Sequence, residues 1–175
     1  MALFQLTQDD TAGAGAALAK LAHDCGLVFP LSTNYVSGTG TAGADNTAQT
    51  VVTVSIPGNT LTQVGDRIRI RAYWRGDNGP AITGSSVVNG VTIAATTDGG
   101  AATLQVTEAW LHYIDATHAN IISMAGGTLN TTISATNVAG FDWANAQNIT
   151  ITQDAQVGNH IVVYFVAGDV FPKGV

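Results

Sequence analysis

The sequence predicts an all-β sandwich carrying an N-terminal arm, and three observations predict it. From Arg67 to Arg75 the residues alternate strictly, with Ile68, Ile70, Ala72 and Trp74 on one side and Arg67, Arg69, Arg71, Tyr73 and Arg75 on the other. That period of two marks a strand with one apolar face, and such a strand belongs to a sheet packed against another layer. Turn signals then punctuate the chain at short intervals, at Pro57-Gly58, Val64-Gly-Asp66, Asp77-Asn-Gly-Pro80, Asn89-Gly90, Asp115-Ala-Thr117 and Gly126-Gly127. Finally, charged residues make up only 10% of the chain, where about 25% is usual. The solvated surface must therefore be built from Thr, Asn, Gln, Ser, Gly and Ala, and threonine, present 23 times, favours strands.

The elements follow in order. Thr7-Gln-Asp-Asp10 reads as a variant capping box, and Ala14, Leu18, Leu21, Ala22 and Cys25 keep helical spacing up to Gly26, predicting a short helix weakened by Gly13 and Gly15. Leu27 to Leu31 suits a short buried or edge segment, and Ser37 to Asn46 has the composition of a flexible linker. The boundary is placed near Asp45, giving an arm over 1–45 and a sandwich over 46–175. Val52, Val54 and Ile56 alternate as a first strand, and the arginine strand follows the Gly65-Asp66 turn. Asn89-Gly90 separates Val87-Val88 from Val91–Ala95, a hairpin signal. A long strand from about Ala102 to Ile114 carries Leu104, Val106, Trp110, Leu111 and Tyr113; its alternation slips near Glu108–Trp110, predicting a bulge there. Segments 118–124, 131–138, 148–152 and 160–167 complete about eight antiparallel strands at sandwich spacing. No helix is expected after residue 26.

Composition excludes several functional classes. A net charge of −6 and a pI near 4.7 argue against a nucleic-acid partner, because phosphate binding calls for a broadly basic surface. The single cysteine, Cys25, excludes an internal disulfide. Met1 to Thr7 lacks the basic region and apolar run of a secretory signal, and no stretch is long and apolar enough for a membrane helix. Synthesis in the cytoplasm, with no membrane partner, is the expectation.

Chemistry-bearing residues are sparse. His23-Asp24-Cys25 holds a thiol, an imidazole and a carboxylate, but consecutive helical residues point apart and cannot form a nucleophile, base and orienter. His112 and His118 straddle the Asp115 turn; two histidines without a clear third ligand read as surface strand residues, and no metal or cofactor is expected. Phe141-Asp142-Trp143 is an aromatic and polar loop that fits either a glycan contact or a closure of the sandwich end and subunit packing, with the second favoured. Trp74 and Trp110 are expected in or near the core. The row formed by Arg67, Arg69, Arg71, Tyr73 and Arg75 holds four of the six basic residues. It is either a solvated face or an interface, and arginine without lysine favours the interface. Acids are few and scattered, so an enzyme is not expected.

Ile56-Pro-Gly-Asn-Thr-Leu61 followed by Gly65-Asp-Arg-Ile-Arg-Ile-Arg71, then Glu108-Ala-Trp-Leu-His-Tyr-Ile-Asp115 and Ile161-Val-Val-Tyr-Phe-Val166, resembles the small jelly-roll structural proteins of tailed bacteriophage virions. The resemblance covers roughly residues 47 to 168. It implies a jelly-roll β-sandwich and a virion component similar to capsid decoration (cement) proteins, head fibres and tail-tip modules. It further implies a homotrimer, with the major capsid protein as partner for a decoration protein and no catalytic residues. The alternative within the same resemblance is a receptor- or glycan-binding module of a tail fibre or head fibre.

Overall fold

The computed structural model describes residues 29–35, 40–77, 79–126, 129–131 and 133–173. Among these the chain is all-β: β1 (Phe29–Tyr35), β2 (Thr41–Ala42), β3 (Gln49–Ile56), β4 (Arg67–Gly76), β5 (Ile82–Val88), β6 (Val91–Asp98), β7 (Leu104–Asp115), β8 (His118–Gly126), β9 (Leu129–Thr131), β10 (Ser134–Ala139), β11 (Gln147–Gln153) and β12 (Ile161–Phe171). They form two antiparallel sheets. One runs β1-β12-β4-β7-β8-β10, with β2 also on β12; the other runs β3-β11-β5-β6-β9. The helix predicted before Gly26 lies outside the described residues, as do His23, Asp24 and Cys25.

Alternation builds the core from both sheets. Ile68, Ile70, Ala72 and Trp74 of β4 are buried, as are Val54 and Ile56 of β3, Ile149 and Ile151 of β11, and Ile82 and Val88 of β5. Gly84 on β5 leaves the space that Trp74 fills, since a Cβ there would lie 2.6 Å from the indole ring. In β12 a bulge between Val163 and Phe165 changes the parity, so that Val166 and Val170 face inward while Phe165 and Asp169 are only partly buried. The β5–β6 hairpin turns on Asn89 and Gly90, with φ of 47° and 82°. Two consecutive positive φ values are what a two-residue hairpin with native twist requires. The outward positions of the five-stranded sheet carry Thr53, Ser55, Thr83, Ser85, Asn148 and Thr150, which is the uncharged threonine-rich surface the composition demanded.

Three expectations require correction. The alternation of β7 does not slip at Glu108–Trp110: its ladder with β4 is unbroken from Leu104 to His112, and the irregularity lies between Tyr113 and Asp115. Gln105 and Thr107 point inward, where Thr96 Oγ1 donates to Gln105 Oε1 (2.9 Å) and the Ser86 and Thr107 hydroxyls meet at 3.0 Å. Trp110 therefore lies on the outer face rather than in the core. The segment read as one strand over 131–138 is two, β9 on one sheet and β10 on the other. On the arm side of Asp45, β1 and β2 both pair with β12, so the seven-stranded sheet takes in part of the first 45 residues.

Candidate functional site

The outer face of the seven-stranded sheet gathers the arginine row and its neighbours. Its central strand, β4, is fixed at its start by Asp66, whose buried carboxylate accepts backbone N–H groups from Thr62 (2.9 Å), Gln63 (3.0 Å) and Lys173 (2.9 Å). The Asp66 carbonyl accepts from Tyr113 N at 2.9 Å. Thr60 Oγ1 donates to the Pro57 carbonyl at 2.6 Å in the preceding turn. The Gly65-Asp66 motif thus joins the loop before β4, the β7 strand and the chain's C-terminal segment, and holds the arginine strand at a fixed angle and register.

Register then sets the neighbours. Arg69 lies between Asp169 on β12 and Trp110 on β7; Arg67 lies between Phe171 and His112; Tyr73 lies between Phe165 and Val106. Arg69 donates through Nε (3.1 Å) and Nη2 (2.6 Å) to Asp169 Oδ2, and Arg71 Nη2 reaches the same oxygen at 3.0 Å. The guanidinium carbons of Arg67 and Arg69 stand 5.5–5.7 Å from the ring centroids of Trp110 and Phe171. Those two rings are themselves 4.9 Å apart. Arg71 stands over Phe165 and Arg75 over Tyr164, while Tyr73 stacks on Phe165 at 5.0 Å. Cation–π contacts of this kind are worth about 0.5–1 kcal/mol each at exposed sites and more when desolvated. The row is therefore a preorganised array whose side chains are held by their own chain, rather than a set of free charges in water.

Trp110 donates its indole N–H to Glu108 Oε1 at 3.0 Å. Among the described residues, the guanidinium groups of Arg67, Arg69, Arg71 and Arg75 share this face with the carboxylates of Glu108 and Asp169. Beside the row, Leu104, Ile122 and Met124 are exposed, and Ile122 pairs in register with Trp110. Arg67, Trp110, His112 and Ile122 line a shallow depression of about 360 Å³. Burial, and after it the Arg67 charge, push the His112 imidazole below its ordinary value. The combination of arginine, aromatic rings, methionine and exposed aliphatic side chains is what distinguishes interface cores from ordinary surface.

The remaining candidates separate from this face. His118 Nδ1 lies 2.9 Å from Asp115 Oδ1 and 3.0 Å from Thr117 Oγ1, closing the β7–β8 turn, whereas His112 pairs across the ladder with Asn120. The two histidines thus serve different neighbours. The Thr117 backbone N–H, and then His118, hold the Asp115 carboxyl down at about 2. Phe141 and Trp143 are buried and stacked at 5.1 Å, and backbone bonds from Trp143 N to Ala116 O (3.0 Å) and from Asn59 N to Trp143 O (2.6 Å) lock the loop across the sandwich end. Asp142 Oδ2 accepts from Asn145 Nδ2 at 2.9 Å. Of the two readings of Phe141, Asp142 and Trp143, the burial of both rings suits the favoured one, a closure of the sandwich end, since buried rings present no face on which a sugar could stack.

What sequence reasoning missed on the candidate face is the β12 contribution. Asp169, Phe165 and Phe171 lie about a hundred residues from the row they partner, and no local pattern marks them. The same holds for Trp110, concealed by the polar residues that face inward on its strand. Comparison with protein-family models finds none that matches the chain, and comparison with curated proteins finds none that matches it either.

Proposed function

We propose that this protein is a structural component of a bacteriophage virion, a capsid decoration (cement) protein that forms a homotrimer, docks on the outer shell built from the major capsid protein and stabilises the head. The observation that carries the reading is the outer face of the seven-stranded sheet, where an ordered row of arginines and aromatic rings adjoins exposed Leu104, Ile122 and Met124. Such a face costs solubility and needs a partner to cover it. The sequence resemblance over residues 47 to 168 supplies the context.

The fold reading belongs with it. Antiparallel pairs β4·β12, β5·β11, β6·β9 and β7·β8 are nested within one another, the pattern of a long hairpin rolled into two sheets, which supports a jelly roll. The direct β5–β6 hairpin, keeping two consecutive strands in one sheet, departs from full alternation between the sheets.

The mechanism is mass action. A protein that binds the assembled shell and not its separated parts stabilises the shell by its binding free energy, and no chemical step is needed. The burial of Phe141 and Trp143 leaves Tyr73, partly exposed in the arginine row, as the aromatic contact for the receptor- or glycan-binding alternative. The test is occupancy of heads stripped of this protein: wild type should rebind and raise the temperature at which the heads release DNA. Arg69→Glu and Arg71→Glu should fold, yet occupy at least tenfold less, since reversing a charge at a desolvated contact costs several kcal/mol and at a solvated one under about 1 kcal/mol. Unchanged occupancy in both variants would reduce the row to a solvated face.

A further inference from the structure

The outer face of the five-stranded sheet differs in kind from the arginine face. Its outward Thr53, Ser55, Thr83, Ser85, Asn148 and Thr150 carry no charge. Where β5 turns into β6 the surface dips into a cleft of about 250 Å³, lined by Asn89, Gly90, Ala146, Gln147, Asn148 and Thr150. The lining side chains are three carboxamides, one hydroxyl and one methyl group.

The chain's own hydrogen bonds hold the walls in place. Asn89 Nδ2 donates to the Gly140 carbonyl at 2.7 Å and Asn89 N to the Asn148 carbonyl at 3.4 Å, which ties the hairpin turn to the end of β10 and the start of β11. Gly90 follows with a φ of 82° and nothing within 4 Å of where a Cβ would stand, so the backbone of the turn lies open to a ligand. Gln147 is 4% exposed, and its Oε1 accepts from Asp142 N at 3.0 Å, which settles the orientation of its amide. Its buried Nε2 has no hydrogen-bond partner among the described residues. A buried donor left unpaired costs about 1–3 kcal/mol, which an acceptor entering the cleft beside it would recover.

The lining selects the ligand. Among the described residues no guanidinium or ammonium group lines the cleft, so a phosphate or carboxylate would enter uncompensated, and no carboxylate lines it to receive a cation. A peptide would find only the Ala146 methyl against which to bury a side chain. The hydroxyls of a neutral sugar each donate and accept, as carboxamides do. Drug-sized ligands occupy about 300–1,000 Å³, so this smaller cleft suits a single sugar residue.

We propose that the cleft binds a neutral saccharide, with one sugar residue seated among Asn89, Gln147, Asn148 and Thr150 and the rest of its chain lying along the uncharged strand face. The site stands on its own geometry; only its placement on the particle rests on the decoration reading. The outer faces of two packed sheets point apart, so a copy that holds the shell through its arginine face presents this cleft outward. Many copies on one head then convert a weak contact into a strong one by avidity.

The experiment titrates isotope-labelled full-length protein with D-glucose, D-galactose, D-mannose and N-acetyl-D-glucosamine, and with inorganic phosphate and N-acetyl-triglycine amide as charged and peptide probes. Each is taken to about 50 mM, which mostly fills a site of about 10 mM affinity. At least one sugar should shift the side-chain amide signals of Asn89, Gln147 and Asn148 and the backbone signal of Gly90. Asn148→Ala and Asn148→Asp, at an exposed position, should keep the β signature in circular dichroism and weaken that sugar at least tenfold. Gln147→Glu, which keeps the Oε1 acceptor and removes the Nε2 donor, should weaken it equally; if that variant does not fold, the Asn148 pair decides. Wild type that binds none of the sugars, shifts that fall outside the cleft, Asn148 variants that bind like wild type, or phosphate or tripeptide binding as tightly as any sugar would each overturn the inference. Binding is read on free protein and rebinding to stripped heads separately, so failure of the site is distinguishable from failure of the decoration role.

Discussion

Replacing Asp169 with alanine removes the carboxylate on which the arginine row converges. Asp169 Oδ2 accepts three N–H groups, two from Arg69 at 2.6 and 3.1 Å and one from Arg71 at 3.0 Å. The Asp169 side chain is 16% exposed and those of Arg69 and Arg71 are 28% and 29% exposed. A hydrogen bond to a charged group contributes about 1.5–3 kcal/mol, but these three share one oxygen and are not additive. The two guanidinium groups, already partly in contact with water, regain hydration once released, and their aromatic neighbours stay in place. The net cost is about 2 kcal/mol, well short of the roughly 3–5 kcal/mol for breaking a fully buried pair. At about 2–4 °C per kcal/mol for a chain of this size, the melting midpoint should fall by roughly 4–8 °C. Urea unfolding should show a lower midpoint with an unchanged slope, because the surface exposed on unfolding is the same. Asp169→Asn, which keeps one acceptor oxygen and loses the charge, should fall between the two proteins. An alanine variant melting within about 1 °C of wild type would refute the view that Asp169 organises the row.

Other outcomes follow from the same structure. Gly84→Ala places a methyl group 2.6 Å from the Trp74 ring, and such overpacking costs about 1–3 kcal/mol, read as a lower urea midpoint; Gly90→Ala, with open space around it, tests backbone strain separately. His112 titrates below its ordinary 6.5 in the fold, so the unfolded chain takes up the proton first. Its contribution to stability is complete above pH 6.5 and declines as pH falls through that value to the lowered one. The stability difference between wild type and His112→Gln should therefore shrink on acidification over that window, and a pH-independent difference would contradict the assignment. Deleting residues 1–44 strips β1 and β2 from β12 and leaves that strand as an open edge, so this protein should melt lower and aggregate more than one lacking only 1–28.

Much of the architecture was legible because local chemistry agrees with it. The Arg67–Arg75 alternation identified β4 and its two faces, and Asn89-Gly90 identified a hairpin whose backbone only such residues adopt readily. The β7 misreading has a physical source: inside the sandwich Gln105 bonds with Thr96 and Thr107 with Ser86, both on the facing sheet, so polarity on that strand does not mark the exterior. Trp110 was misplaced for the same reason. β9 and β10 merged in the sequence because only the partner strands, β6 and β8, distinguish them. The candidate face was half legible: the donors on β4 announce themselves, whereas Asp169, Phe165 and Phe171 join them through a pairing that is specified by the whole fold.

The central claim is that this protein covers the outside of a virion head, and immunogold labelling of intact particles that carry the chain tests it most directly. Antibody against the purified protein should decorate the head surface at many positions and leave the tail bare. Label confined to the tail or its tip, or label that appears only after the head is broken open, would contradict the account.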